Sequence, residues 1–295
     1  MKPGNAKAVS GLFVLCFASP MKGPDWREID AAVTVKPGGK IKLTDERALA
    51  EAIFPDKAEA KALLAKDAEA INDLQDRLFA EGSRALLVIL QGMDTAGKDG
   101  TVRDVFNRTG PLGVSVTPFG APSSEELKHD YLWRIHKAVP QKGMIGIFNR
   151  SQYEDVLVVK VRGLAPAEAI EKRYEQINAF EKHLMDNGVH ILKFMLHISN
   201  GEQKARLEAR LEDPVKRWKF NPGDLDDRKL WPEFMRAYET MLHRCSTAHA
   251  PWRVIPADKK WRRNAIIGRI VRGTLEHMDP QPRACSFDPT AFKIV

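Results

Sequence analysis

Residues 92–101 read Gly-Met-Asp-Thr-Ala-Gly-Lys-Asp-Gly-Thr. Within them Gly92-x-x-x-x-Gly97-Lys98 has the Walker A spacing of a loop that cradles phosphate. Backbone N–H groups must converge on phosphate oxygens, so glycine stands where a side chain would block the approach. A helix beginning at Lys98 adds the positive end of its dipole, and the Lys98 ammonium adds a mobile point charge. The phosphate-binding set expected from this loop is Gly92, Ala96, Gly97, Lys98, Asp99, Gly100 and Thr101.

Two residues depart from the ordinary loop. Asp99 stands where a Ser or Thr hydroxyl would bind Mg²⁺, and Asp94 lies inside the loop. A carboxylate beside phosphates is repelled unless a cation lies between them or it holds a proton. Asp94 is therefore expected to ligate Mg²⁺ or to orient the attacking phosphate. A second polar segment, Phe148-Asn149-Arg150-Ser151-Gln152-Tyr153-Glu154-Asp155, ends an apolar run. Asn149 occupies the place of the Asp that closes a Walker B strand, and an amide supplies no negative charge to a metal. Glu154 and Asp155 are near enough in sequence to do so, and the metal is assigned to Asp94 and Asp155. Arg150 can neutralise charge on a moving phosphoryl group, the alternative being a structural Arg–Glu pair in a polar turn. Arg103, five residues past Lys98, either faces the phosphates or is solvated, and its spacing decides neither.

These groups need a frame. Arg84–Gln91 is a short continuous apolar run, as in a strand buried on both faces of a parallel sheet. Helical periodicity precedes it over Asp56–Glu81, with Leu64, Ile71, Leu74 and Leu78 on one face and Gly82 as the stop. Further strands are expected at Gly113–Phe119, Gly143–Phe148, His190–Ile198 and Trp252–Ile255. Helices are expected at Lys98–Arg108, Glu125–Val139 (Leu127, Tyr131, Leu132 and Ile135 inward), Ala167–Asn187 and Lys259–His277. Alternating strands and helices imply βαβ units in a doubly wound α/β sheet, which binds ligands at the carboxyl ends of its strands. Lys204–Arg236 breaks the alternation with a Pro/Trp-rich centre and reads as a lid over the site. In it Lys216, Arg217 and Lys219 flank Trp218. They suit a polyanion or a stacked base, or simply pair with Asp213, Asp224, Asp226 and Asp227.

The 295 residues, 43% hydrophobic and 29% charged, suit one large α/β domain. The formal charge of +7 suits a polyanionic partner. Cys16, Cys245 and Cys285 lie far apart, which suggests neither zinc nor disulfides and fits a reducing cytoplasm. No HExxH or Gly-x-Ser-x-Gly occurs, and His129, His136 and His183 are expected to be structural helix residues. The apolar run 9–18 resembles a signal-peptide core, but it is short and is read as an over-extended N-terminus with the start at Met21. The expected organisation is an N-terminal extension 1–33, one domain 34–282 with its lid at about 205–235, and a tail 283–295.

The loop 92–101, Asp130-Tyr-Leu-Trp-Arg-Ile-His136, Phe148–Asp155, Lys216-Arg-Trp-Lys-Phe220 with Gly223-Asp-Leu, and Ala250-Pro-Trp-Arg-Val-Ile-Pro-Ala257 together resemble the polyphosphate kinase 2 family. The resemblance spans about residues 34–277. It implies a P-loop kinase-like three-layer αβα fold, similar to thymidylate kinase, with a helical lid. It implies inorganic polyphosphate as donor, a nucleotide as acceptor and Mg²⁺, with Mn²⁺ as a substitute. It places Asp94 and Lys98 in the family's catalytic positions, gives Arg103 and Arg150 phosphate-binding roles, and makes 205–235 the lid. Asn149 with Glu154 and Asp155 resembles the third subclass, which accepts both AMP and ADP. The partners implied are polyphosphate and AMP, ADP and ATP, with GMP and GDP as further candidates, in a cytoplasmic homodimer or homotetramer that engages neither nucleic acid nor membrane. Two rivals are an ATP-dependent nucleotide kinase and a non-enzymatic polyanion binder. Asp94 argues against the binder, since without a metal it only hinders anion binding.

Overall fold

The computed structural model of the protein describes residues 24–287 and 291–292. The apolar run 9–18 and Met21 lie outside them. In chain order the elements are α1 (Trp26–Val33), α2 (Asp45–Leu49), α3 (Lys57–Glu81), β1 (Ala85–Gln91), α4 (Lys98–Val105), β2 (Val114–Pro118), α5 (Trp133–Ala138), β3 (Ile145–Asn149), α6 (Val158–Val161) and α7 (Ala167–Asp186). They continue with β4 (Val189–His197), α8 (Asn200–Glu212), α9 (Gly223–Lys229), α10 (Trp231–Cys245), β5 (Trp252–Pro256) and α11 (Lys260–Met278). Short 3₁₀ turns cover Glu126–Lys128, Gln152–Val156 and Arg217–Lys219.

The five strands are all parallel, in the order β2-β3-β1-β4-β5. Helices α3, α4 and α11 pack together on one side, and α6, α7 and α10 on the other, giving three layers. Every residue of β1 is buried, because this strand pairs with β3 and β4 and is covered on both faces. That explains its unbroken apolar run. The order reverses between β1 and β4, so the segments after these strands open a crevice at the carboxyl edge of the sheet.

Local signals set the helix ends. Asp56 caps α3 through Glu59 N–H (2.7 Å), and Gly82 ends it at a φ of 61°. Leu63, Ile71 and Leu78 of α3 and Ile170, Tyr174, Ile177 and Leu184 of α7 are buried.

Two expectations are corrected. Glu125–Val139 is not one helix. The Asp130 carboxylate accepts the Leu132 N–H (2.9 Å) and His129 is extended, which separates the turn at 126–128 from α5. Leu127 is 69% exposed, and His129 falls in the break, stacked on Trp133 at 3.9 Å. The second correction concerns the chain before residue 34. Ile29 and Val33 of α1 are buried, and Val35 N–H donates to Trp252 O (2.8 Å). Asp30 pairs with Arg253, and the Trp26 ring lies 2.2 Å from where a Cβ on Gly273 would stand. Residues 26–33 thus pack on the core rather than extend from it.

One charged group crosses the core. Lys193, in the middle of β4 and fully buried, donates to Glu181 (2.6 Å), the Tyr153 hydroxyl (2.8 Å) and Cys245 O (2.8 Å). Glu181 also accepts from the Tyr153 hydroxyl (2.7 Å) and Gln152 Nε2 (3.0 Å). This cluster ties β4, α7 and α10 to the 152–156 turn. Leaving one buried charge alone costs about 3–5 kcal/mol. Glu181→Ala should lower the unfolding free energy by about that amount in urea titrations, and Glu181→Leu with Lys193→Met should recover most of it.

Candidate active site

The loop after β1 has backbone angles that explain its glycines. Gly92 lies at a φ of 151° and Gly97 at 102°, where side chains are disfavoured. A Cβ on Gly92 would meet Leu196 O at 2.5 Å, and one on Gly97 would meet Arg263 Nη1 at 1.8 Å. Arg263, from α11, donates to Ala96 O (2.9 Å). Arg206, from α8, donates to Thr95 O (2.9 Å), Ala257 O (2.8 Å) and Asp258 O (2.7 Å). With the Ala96 carbonyl turned to a guanidinium, the N–H of the same trans peptide, that of Gly97, points the opposite way. It joins the first-turn amides of α4, which have no intrahelical acceptor.

Lys98 is buried and spans the loop, donating to Gly92 O (2.7 Å) and Met93 O (3.4 Å). Burial first, then Arg150, pulls its ammonium down to about 8, against Asp94, Glu154 and Asp99. A bound phosphate would reverse that pull.

Arg150 follows β3 in the left-handed region, at a φ of 67°, held by its N–H to Leu90 O (3.0 Å). A non-glycine residue there is strained, and such strain gathers at functional sites. Its guanidinium reaches Asp94 (2.6 Å) and Glu154 (3.7 Å). Burial would lower the Arg150 pKa, but Glu154 and Asp94 raise it. Glu154 is raised by burial, against Arg150 and Lys98.

The Asp94 carboxylate faces Asp224, at the start of α9. Burial would raise Asp94, but Lys98, Arg150, Arg210 and a hydrogen bond from Asp224 hold it below the ordinary value. Asp224 takes the opposite share, pushed up to about 6 by burial and by the Asp94 charge, with Arg210 and Arg150 opposing. Two carboxylates competing for one proton can instead share a divalent cation, and Mg²⁺ is ordinarily held by one or two carboxylates together with substrate phosphates. Among the described residues no group of three or more His, Cys, Asp or Glu side chains is placed to hold a metal alone, so phosphate oxygens would complete the shell.

Other expected site residues are placed differently. Asp155, assigned to the metal beside Asp94, pairs instead with Arg173 (3.2 Å), because the 3₁₀ turn sends Glu154 and Asp155 to different partners. Asp224, which no expectation assigned to the metal, lines the same cavity as Asp94 and Asp155. Arg103 is exposed and pairs with Asp104 (3.0 Å). The Thr101 hydroxyl faces Asn264 (3.4 Å) beneath the loop rather than its mouth. Asp99 accepts from Asn149 Nδ2 (2.7 Å) and lies 3.8 Å from Lys219, so one lid cation does reach the loop helix. Lys216 pairs with Asp213 and Arg217 donates to Leu211 O (2.7 Å), both within the lid. Trp218 is 77% exposed and covers nothing. Asp224, Arg206 and Arg263 went unassigned because no spacing links them to the loop. Only Gly223-Asp-Leu carried a signal, as part of the family-like stretch.

Beyond Asp94 and Arg150 a cavity of about 770 Å³ opens between the sheet edge and the lid. Leu127, Val158, Val159 and Leu164 give it apolar wall, and Arg134, Arg162 and Arg173 line it, each paired with an acid of the same lining, Glu126 (3.6 Å), Asp227 (2.6 Å) and Asp155 (3.2 Å). Arg162 joins Asp227 of α9 (2.6 Å), which ties α9 to the segment after α6 across this cavity.

The tight fit beneath Gly97 gives a direct test. Gly97→Ala should displace Arg263 or the loop and lower phosphate-loop affinity by at least tenfold, about 1.4 kcal/mol, in calorimetric titrations with polyphosphate. Wild-type affinity in that variant would show that the loop does not bind the anion.

Residues 55–283 match the family model described as Polyphosphate kinase 2 (PPK2). An AMP/ADP-polyphosphate phosphotransferase of Meiothermus ruber is 48% identical over 259 residues, covering 85% of this chain and 96% of that protein. An ADP-polyphosphate phosphotransferase of Rhodopseudomonas palustris is 39% identical over 253 residues, 82% of this chain and 88% of the relative. The crystal structure of Polyphosphate Kinase 2 from Arthrobacter aurescens TC1 superposes with a TM-score of 0.85 at 43% identity, covering 91% of this chain and 95% of that one. By that family match, identity and shared fold, the chain belongs to the polyphosphate kinase 2 family.

Proposed function

We propose that the protein transfers the terminal phosphoryl group of inorganic polyphosphate to AMP and ADP, forming ADP and ATP. The observation that carries this reading is Asp94 in contact with Arg150 (2.6 Å), with Asp224 in the same lining and the buried Lys98 spanning the phosphate loop beside them. Charges of both signs at one point suit two phosphate chains with a metal between them. By name, the Meiothermus ruber relative acts on AMP, ADP and polyphosphate, and the Rhodopseudomonas palustris relative on ADP and polyphosphate.

In this reading the donor's terminal phosphates lie on the loop amides and Lys98. The acceptor nucleotide occupies the cavity of Arg134, Arg162 and Arg173. Arg150, in contact with Asp94, faces the point of transfer. Attacking and leaving oxygens both belong to phosphates of low basicity, so proton transfer matters little, while alignment and charge neutralisation matter most. No covalent enzyme intermediate is required, and similar anhydrides on both sides make the transfer reversible. Mg²⁺, replaceable by Mn²⁺, would be held by Asp94 and Asp224, where it supplies positive charge to the transferring group. Acceptance of GMP and GDP, assembly as a homodimer or homotetramer and a cytoplasmic location belong to the same proposal. No helix among the described residues is long and apolar enough to cross a membrane.

The decisive assay mixes the purified protein, Mg²⁺ and AMP or ADP, with and without polyphosphate, and quantifies nucleotides. ATP should form only with polyphosphate. Asp94→Asn and Lys98→Ala should each lower kcat by about 10²–10³-fold or more without unfolding the protein. Undiminished turnover in both variants would sink the site assignment.

The carboxylate pair also sets a pH dependence. The folded-state pKa of Asp224, about 6, lies above its ordinary value of 3.8. In the metal-free protein Asp224 therefore becomes destabilising as pH rises from about 4 to about 6 and stays so above that, while the lowered Asp94 acts in the opposite sense only at lower pH. Asp224→Asn should raise the thermal midpoint of metal-free protein at pH 7 while abolishing the rise of Mg²⁺-dependent turnover through about pH 6. An unchanged pH profile in that variant would remove Asp224 from the metal site.

A further inference from the structure

Lys193 and Glu181 are fully buried, and the transfer uses neither. Stability alone is a poor reason to keep such a pair, because apolar residues of similar size often serve a core as well or better. What the pair holds is specific. Glu181 accepts from Lys193 (2.6 Å), the Tyr153 hydroxyl (2.7 Å) and Gln152 Nε2 (3.0 Å). Two of these donors are consecutive residues of the 3₁₀ turn Gln152–Val156. Arg150, Glu154 and Asp155, on either side of them, line the cavity that holds Asp94, whereas Glu181, Lys193 and Tyr153 do not. The turn therefore has one side fastened to a buried charge cluster and another side that carries site groups.

The remaining residues of this stretch are tied as well. Ser151 Oγ accepts from Gln91 Nε2 (3.1 Å), at the end of β1, and from Tyr153 N–H (3.3 Å). Glu154 N–H donates to Ser151 O (3.1 Å). Arg173 donates to Asp155 O (2.9 Å) and pairs with its carboxylate (3.2 Å), and like Glu181 it stands on α7. The Tyr153 ring meets Trp252 of β5 edge-on at 4.8 Å. All of this follows directly on Arg150 and its φ of 67°. A strained residue persists only where its surroundings over-determine it. Arg150 itself has its N–H on Leu90 O and its guanidinium on Asp94 and Glu154. The turn supplies the rest of the constraint, and a relaxed Arg150 would swing its guanidinium off Asp94.

We infer that Glu181 and Lys193 are positioning residues for the transfer, holding the turn 151–155 from the core so that Arg150 stays on Asp94 with Glu154 beside it. The inference rests on the proposed function, because it concerns the same site. Its consequence is a loss in kcat. The KM for polyphosphate is spared, since the loop amides and Lys98 hold the donor and the cluster contacts neither.

The test separates positioning from stability. Tyr153→Phe, Glu181→Leu and Lys193→Met combined replace the whole network by apolar groups, a change that is often neutral or stabilising. This variant should unfold near the wild-type urea midpoint, yet its kcat for ADP with polyphosphate should fall about tenfold or more, with the KM for polyphosphate unchanged. A merely structural cluster predicts instead that wild-type kcat returns with stability, and that result would overturn the inference, as would a rise in the KM for polyphosphate without a fall in kcat. Tyr153→Phe alone leaves Lys193 on Glu181 and Cys245 O, so its fold is less at risk. Its kcat should fall roughly threefold or more, again at constant KM for polyphosphate. An unchanged kcat there overturns the inference even if the triple variant does not fold. If wild type makes no ATP from ADP and polyphosphate, the proposed function itself fails. If wild type is active and both variants match it, only the positioning role fails.

Discussion

The carbonyl oxygens of Thr95 and Ala96 have to point away from any bound phosphate, and Arg206 and Arg263 hold them there. The six residues between β1 and α4 cannot impose this on themselves. The guanidiniums come from α8, which follows β4, and from α11, which follows β5. The loop's geometry therefore depends on the whole right half of the sheet being assembled. Arg263 is buried with no carboxylate partner among the described residues, and burial brings its pKa down to about 10. Such a cation is costly in a core but useful behind an anion site, where its charge acts through the loop.

The same economy of charge governs the front of the loop. Asp94, Asp224 and Glu154 face Lys98, Arg150 and Arg210, and no single pair satisfies all of them. The protein keeps a set of strained ionisations that a metal and phosphates can resolve. This is preorganisation in the electrostatic sense, because the charges are in place before the substrate arrives. The buried Lys193–Glu181–Tyr153 cluster supports it from below, since Gln152 and Tyr153 immediately precede Glu154.

What the sequence made legible was contiguous. β1, the phosphate loop and α4 form one run of residues, and burial on both faces, glycine geometry and a helix start each leave a local mark. The domain's strand–helix alternation was readable for the same reason. The failures were non-local or sub-turn in scale. Asp155 was named for its nearness to Arg150 in sequence and Asp224 only as a partner for lid cations, whereas the fold brings Asp224 from beyond β4 into the same lining as Asp94. Helical periodicity over 125–139 was genuine, but one Asp130 side-chain hydrogen bond breaks it. Arg206 and Arg263 looked like ordinary helix-surface arginines, and only the packing of α8 and α11 against the loop shows otherwise.

The fastening of the lid is uneven. Arg162–Asp227 and Lys219–Asp99 cross from the body to the lid, and Arg162, Lys219 and Asp99 are all well exposed. Pairs of that kind contribute about 0–1 kcal/mol each and weaken further at physiological ionic strength. The firmer ties are those of Arg206 to Thr95 O, Ala257 O and Asp258 O and of Arg228 to Asn200 O and Gln203, so salt can loosen the rim of this segment while its base stays docked against the phosphate loop.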